Sequence, residues 1–233
     1  MTPGPAFPID ELRAELTAAA DPERARQAER YMQGHTRFLG VATPDVHRIG
    51  RPHVRACRDL DGQALIGIVE ELWAQPEREF QYVGIDLLRR FVDRLGPAEL
   101  AGVERLVTTT SWWDTVDLLA SRVVGPMVVD HPELAATMDA WIDRDDIWIA
   151  RTAILHQLAR GERTDAVRLF AYVDRRCADT EFFVRKACGW ALREYSKSDP
   201  DAVRAYVESR GDRLSGLTRR EAMKHLDRRG TGE

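Results

Sequence analysis

Apolar side chains recur at the 3.6-residue period of an α-helix along almost the whole chain, and this periodicity is what most limits the folds open to it. Leu65, Ile68, Val69 and Leu72 form one such stripe; Phe80, Val83, Leu87, Leu88 and Phe91 form another. Alternating runs bounded by turn residues, the mark of strands, are nearly absent, so the chain reads as all-α. Helix starts carry capping residues with proline in the first turn, at Asp21-Pro22-Glu23, Thr43-Pro44-Asp45 and Asp199-Pro200-Asp201, and a capping box runs from Thr218 to Glu221. Helix-pair starts at Asp61, Pro97, Pro132, Thr164 and Asp199 recur roughly every 32 to 36 residues, the interval of helical repeats. One such hairpin cannot bury its own apolar face. Neighbours must complete the core, and a stack of this kind curves to leave a concave face suited to a long partner. No linker or change of composition divides the chain, so residues 1–233 are expected to form a single solenoid domain of antiparallel helix pairs.

With 233 residues, 44% of them hydrophobic, the chain has enough apolar material for a core without staples. Cys57, Cys177 and Cys188 are odd in number and lack metal-ligand spacing, which argues for a reducing compartment and against a disulfide framework or a metal centre. Met1 to Ile9 has no basic or apolar leader character, and no window approaches 18 uncharged apolar residues. A cytoplasmic protein without a membrane segment is expected. The net charge of −4 disfavours a nucleic-acid partner when taken as an average, but it hides a polarity. Basic against acidic residues number 16 to 25 up to Asp146 and 18 to 13 from Ile147 on, so the second half is the one expected to hold a polyanion.

Three groups of residues stand out against the helical pattern. On the helix spanning Glu181 to Tyr195, Val184, Cys188, Ala191, Leu192 and Tyr195 share the core side. Trp190 falls instead beside Phe183, Lys186, Arg193, Glu194 and Lys197. Aromatics among cations suit base stacking and phosphate binding, and equally a Trp packed on a neighbouring repeat. Arg151 lies inside the stripe of Ile147, Trp148, Ile154, Leu155 and Leu158, where a charge must meet an anion: a buried carboxylate or a phosphate. Trp113 and Asp117 stand one helical turn apart, an indole and a carboxylate that together favour positive charge in a ligand or a transition state. A salt-bridging or capping Asp is the plainer reading of Asp117.

The residues also resemble a known family, the AlkD-like DNA alkylation repair enzymes. Tyr31-Met-Gln-Gly and Phe38-Leu-Gly-Val-Ala-Thr-Pro44 are similar to its opening signature. Ser111-Trp-Trp-Asp-Thr-Val-Asp117 and Arg151-Thr-Ala-Ile-Leu155 are similar to its central ones. Phe182 to Trp190 with Arg193-Glu-Tyr195 and Asp199-Pro200, then Leu214 to Leu226, complete the match in family order. The resemblance implies a solenoid of HEAT-like helix pairs whose concave face binds duplex DNA. It further implies a monofunctional glycosylase that removes positively charged N3- or N7-alkylated purines and uses neither metal nor organic cofactor; a monomer is the simplest assumption for its assembly. Carried over residue by residue, Trp113, Asp117 and Trp190 match the family's catalytic cleft, Arg151 a backbone contact and Tyr31 an aromatic on the DNA-facing surface. Phe183, Lys186, Arg193 and Lys197 are further candidate DNA-binding residues. None of the three lysines falls at a family catalytic position, so no Schiff-base step is expected. The competing reading from the same repeats and the net acidity is a non-catalytic helical-repeat module that binds DNA or scaffolds other proteins.

Overall fold

The computed structural model describes residues 7–230, with side chains to residue 227. The described residues form α1 (Ile9–Ala18), α2 (Pro22–Tyr31), α3 (Thr43–Ala56), α4 (Gly62–Trp73), α5 (Arg78–Arg90), α6 (Leu100–Thr108) and α7 (Trp113–Leu119). They continue as α8 (Gly125–Asp130), α9 (Ala135–Trp141), α10 (Ile147–Leu155), α11 (Ala166–Arg175), α12 (Phe182–Tyr195), α13 (Pro200–Arg210) and α14 (Gly216–Gly230). Strands are absent among the described residues, where Arg37 and Glu77 form one isolated bridge. No described helix is long and apolar enough to cross a membrane.

Side-chain caps set several of the helix starts. Asp21 accepts the amides of Glu23 and Arg24, Asp61 that of Ala64, Asp165 that of Arg168 and Asp199 that of Ala202. Two starts differ from the sequence reading. Thr43 is the first residue of α3, not its cap, and Ala42 precedes it without a side-chain bond. The expected Thr218–Glu221 box lies inside α14: Ser215 Oγ accepts the Thr218 amide, and Glu221 turns to other partners described below.

The chain groups into two compact units, one up to Thr115 and one from Val116 on. In the first, α3 packs on α1 and α5, and α4 on α5 and α6, around Leu12, Leu16, Val46, Leu65, Leu72, Phe80, Leu87 and Val103. In the second, α10, α12 and α14 pack side by side, and α9, α11 and α13 each pack on the helix that follows them in the chain. Gly189 permits the close approach of α12 and α14, because a Cβ there would meet the Glu221 Cβ at 2.4 Å and the Thr218 carbonyl oxygen at 2.7 Å.

The repeat period appears in the second unit as a ladder of polar bonds. Tyr172 donates to Asp139, 33 residues earlier, at 2.7 Å, and Tyr206 donates to Asp174, 32 residues earlier, at 2.9 Å. Arg168 and Arg210 pair with the same two carboxylates, at 3.0 and 2.7 Å, and hold both below the usual carboxylate range.

His156 is fully buried, with Nδ1 at 2.6 Å from the Ala153 carbonyl oxygen, and burial pushes its pKa down from 6.5 to about 4. The unfolded chain therefore takes up this proton first. The stability held above about pH 6.5 is lost progressively as pH falls toward 4, up to ~3 kcal/mol for this one group. Urea unfolding of wild type and His156→Gln at pH 7.5 and pH 4.5 is expected to show a shallower pH dependence in the variant. Parallel curves would mean that His156 is already charged in the fold.

Candidate active site

Trp113 opens α7, and Asp117 stands one turn further along the same helix. The helix then widens into a π-helical segment, Ala120–Val124, in which the Gly125 amide bonds to the Ala120 carbonyl. Pro126 follows. It has no amide hydrogen to donate, and a wide turn ahead of it relieves the clash of its ring with the preceding turn.

In the first unit, α7 is seated by a buried polar cluster. Arg78 is fully buried and donates to Asp114 Oδ1 at 3.0 Å, to the Thr110 carbonyl at 3.0 Å and to Gln81. Tyr82 donates to the other Asp114 oxygen at 2.8 Å, and Gln81 donates to the Thr110 hydroxyl at 3.0 Å. Thr110 is held at φ +48°, a strained backbone for a β-branched residue, immediately before the Ser111–Trp112–Trp113 run. Trp112 is buried under the stacked ring of His35, 3.6 Å away, whereas Trp113 is half-buried. Tyr31 is 70% exposed and meets the Trp113 ring edge-on at 6.0 Å.

In the second unit, the anion that Arg151 needs is Asp117. Arg151 Nε and Nη2 donate to the two Asp117 oxygens at 2.7 and 2.8 Å, and its third nitrogen donates to the Phe183 carbonyl. The Arg151 side chain is 3% exposed and that of Asp117 12%. This two-point contact fixes the plane of the carboxylate. The Phe183 ring lies 5.9 Å from the guanidinium carbon and packs on Trp148 at 5.0 Å, so Phe183 belongs to the same cluster. Trp190 is half-buried on α12.

The cations expected on α12 are engaged within the protein. Lys186, Arg193 and Lys224 all pair with Glu221, whose side chain is 4% exposed, and Lys197 pairs with Glu194. The three cations on Glu221 carry two charges more than that one carboxylate offsets, so the basic surplus of the second half is only partly taken up by its own carboxylates. The structure thus joins Asp117, Arg151 and Phe183 in one cluster and Tyr31 and Trp113 in another, while Lys186 and Arg193 meet a buried glutamate. Sequence reading missed the Arg78–Asp114 cluster. One signal was available for it: Arg78 and Asp114 are 36 residues apart and Arg151 and Asp117 34, so both are opposite charges one repeat from each other.

An all-helical repeat protein that holds a carboxylate rigidly on a nearly buried arginine, on a helix opened by tryptophan, is the class that fold and site define. The chain belongs to the DNA alkylation repair enzyme family, whose model matches residues 12–226. Among solved structures it is similar to a predicted DNA alkylation repair enzyme from Enterococcus faecalis, with 29% identity and a TM-score of 0.83 over 89% of this chain and 96% of that one. It shares its all-α fold with AlkD2 from Streptococcus mutans, at 15% identity and a TM-score of 0.62, covering 87% of this chain and 97% of that one. The fold is also that of the Pseudomonas fluorescens alkylpurine DNA glycosylase AlkC bound to DNA containing an abasic site analog. There the identity is 18% and the TM-score 0.57, over 97% of this chain and 64% of that one. No protein of curated function matches the chain.

Proposed function

We propose that the protein is a monofunctional alkylpurine DNA glycosylase that hydrolyses the N-glycosidic bond of positively charged N3- or N7-alkylated purines in duplex DNA. The observation that carries this reading is the Asp117 carboxylate, held in one plane by the two-point contact with Arg151. A cationic purine leaves readily, because the electrons of the breaking bond neutralise it. The remaining demand is on the sugar, which becomes oxocarbenium-like before water adds at C1′ and releases its proton to solvent. A fixed carboxylate stabilises that positive charge without reorganising at the moment of reaction. Its part is electrostatic and water-orienting. In this reading Trp113 and Trp190 hold the sugar by contacts with their π-faces, and Arg151 both positions Asp117 and attracts the neighbouring phosphate.

Each of the three lysines is engaged by a carboxylate, and none belongs to the Asp117–Arg151 cluster as an imine-forming nucleophile would. That supports hydrolysis over a lyase step. The test compares duplexes carrying one 7-methylguanine or one uncharged 8-oxoguanine. Free base is expected from the cationic lesion alone, leaving an abasic strand that is not nicked until alkali is added. Absence of release from both, with duplex binding intact, would favour a non-catalytic DNA-binding module.

A further inference from the structure

The first unit carries most of the acidic excess of the sequence, yet it contains a groove lined by five arginines and a single carboxylate. Arg51 and Arg55 stand one turn apart on α3, and Arg58 follows in the 3-10 turn Cys57–Asp59. Arg89 ends α5 with Arg90, and α5 packs directly on α3. All five arginines are exposed at the surface. The one carboxylate, Asp86, is already engaged by His47 and by Arg89 at 3.6 Å. Arg90 lies over the buried Phe91 ring at 5.4 Å. Among the described residues, neither Arg51 nor Arg55 has an ion-pair partner, in contrast to Lys186, Arg193 and Lys224 on Glu221.

Arg58 pairs with Asp59 at 3.4 Å, so among the described residues the guanidinium groups left without a carboxylate are those of Arg51 and Arg55 on α3 and Arg90 on α5, and such a row along an open groove suits an extended anion. We infer that this α3–α5 groove binds the phosphodiester backbone of duplex DNA, a contact additional to the one proposed at Arg151. The inference rests on DNA being the substrate of the proposed reaction. Arginine forks meet phosphate oxygens two at a time, and a duplex presents about one negative charge per ~1.7 Å of its axis, so one backbone can engage several of these groups at once. The groove also places a polyanion contact in the half of the chain that charge counting disfavours. Such a contact is independent of base identity, which suits an enzyme that must survey undamaged DNA.

The test measures binding of the full chain to an undamaged duplex across a salt series, for wild type, Arg51→Gln/Arg55→Gln and Arg51→Lys/Arg55→Lys. The Gln variant is expected to bind about ten- to a hundredfold more weakly at low salt, with the slope of log affinity against log salt reduced by about 2. The Lys variant, which keeps both charges, is expected to retain the wild-type slope. Unchanged affinity and slope in the Gln variant would overturn the assignment, as would a Lys variant as weak as the Gln one. Base release by wild type is scored separately. If wild type releases no base but the Gln variant still loses binding, the glycosylase reading fails and the groove stands.

Discussion

Replacing Asp117 by Asn is expected to slow single-turnover release of 7-methylguanine by about a hundred- to a thousandfold, the loss typical of one preorganised electrostatic group. The substitution keeps the shape of the side chain and removes its charge. A neutral amide cannot offset a growing sugar cation, and its NH2 group can only oppose the guanidinium donors that now meet the Asp117 oxygens at 2.7 and 2.8 Å. The same change leaves Arg151, 3% exposed, with its positive charge poorly compensated. A cost to folding of up to about 3–5 kcal/mol is therefore expected alongside the kinetic loss. Rates must be read well below the melting transition of the variant, with duplex binding measured on the same preparation. A variant that is folded, binds duplex and releases base at the wild-type rate would remove Asp117 from the chemistry and leave it a structural partner of Arg151.

Arg78→Met is expected to lower the free energy of unfolding by about 3–5 kcal/mol. Methionine fills much of the same volume, so packing is not the main loss. What remains is Asp114, almost wholly buried, with Tyr82 as a hydroxyl donor and no guanidinium, beside a Thr110 carbonyl that has lost its donor. The double variant Arg78→Met/Asp114→Leu is expected to regain a substantial part of this loss, since no charge is then left unpaired in the interior. Urea unfolding of both variants checks the pair. A single variant costing under about 1 kcal/mol would show that water compensates Asp114 and that the cluster does not hold Thr110 and the start of α7 in place.

Helices and their period were legible in the sequence because stripes and caps are local: the amides that Asp21 and Asp199 accept lie within three residues of them. The demand of Arg151 for an anion was legible too, since its charge falls within an apolar stripe. Which anion answers it was not, because a partner 34 residues away is set by the register between neighbouring hairpins. Glu221 shows the same limit from the other side. Its spacing from Thr218 satisfies a local capping rule, but Ser215 caps the helix and Glu221 gathers Lys186, Arg193 and Lys224. Half-sequence charge counts meet a related limit. They sum over residues, whereas the attraction a polyanion feels depends on which cations lack a carboxylate neighbour.

The polar ladder of Asp139, Tyr172, Asp174 and Tyr206 constrains how such a chain can change in length. Adding one residue inside α11 would turn everything after it by about 100° around the helix axis, carrying Asp174 out of reach of Tyr206 or Tyr172 out of reach of Asp139. Adding one between helices, in the stretch 176–181, turns no rung. Insertions and deletions are thus permitted by physics in the connections and penalised within the helices. A whole extra hairpin of the same period would find its rungs already waiting on either side.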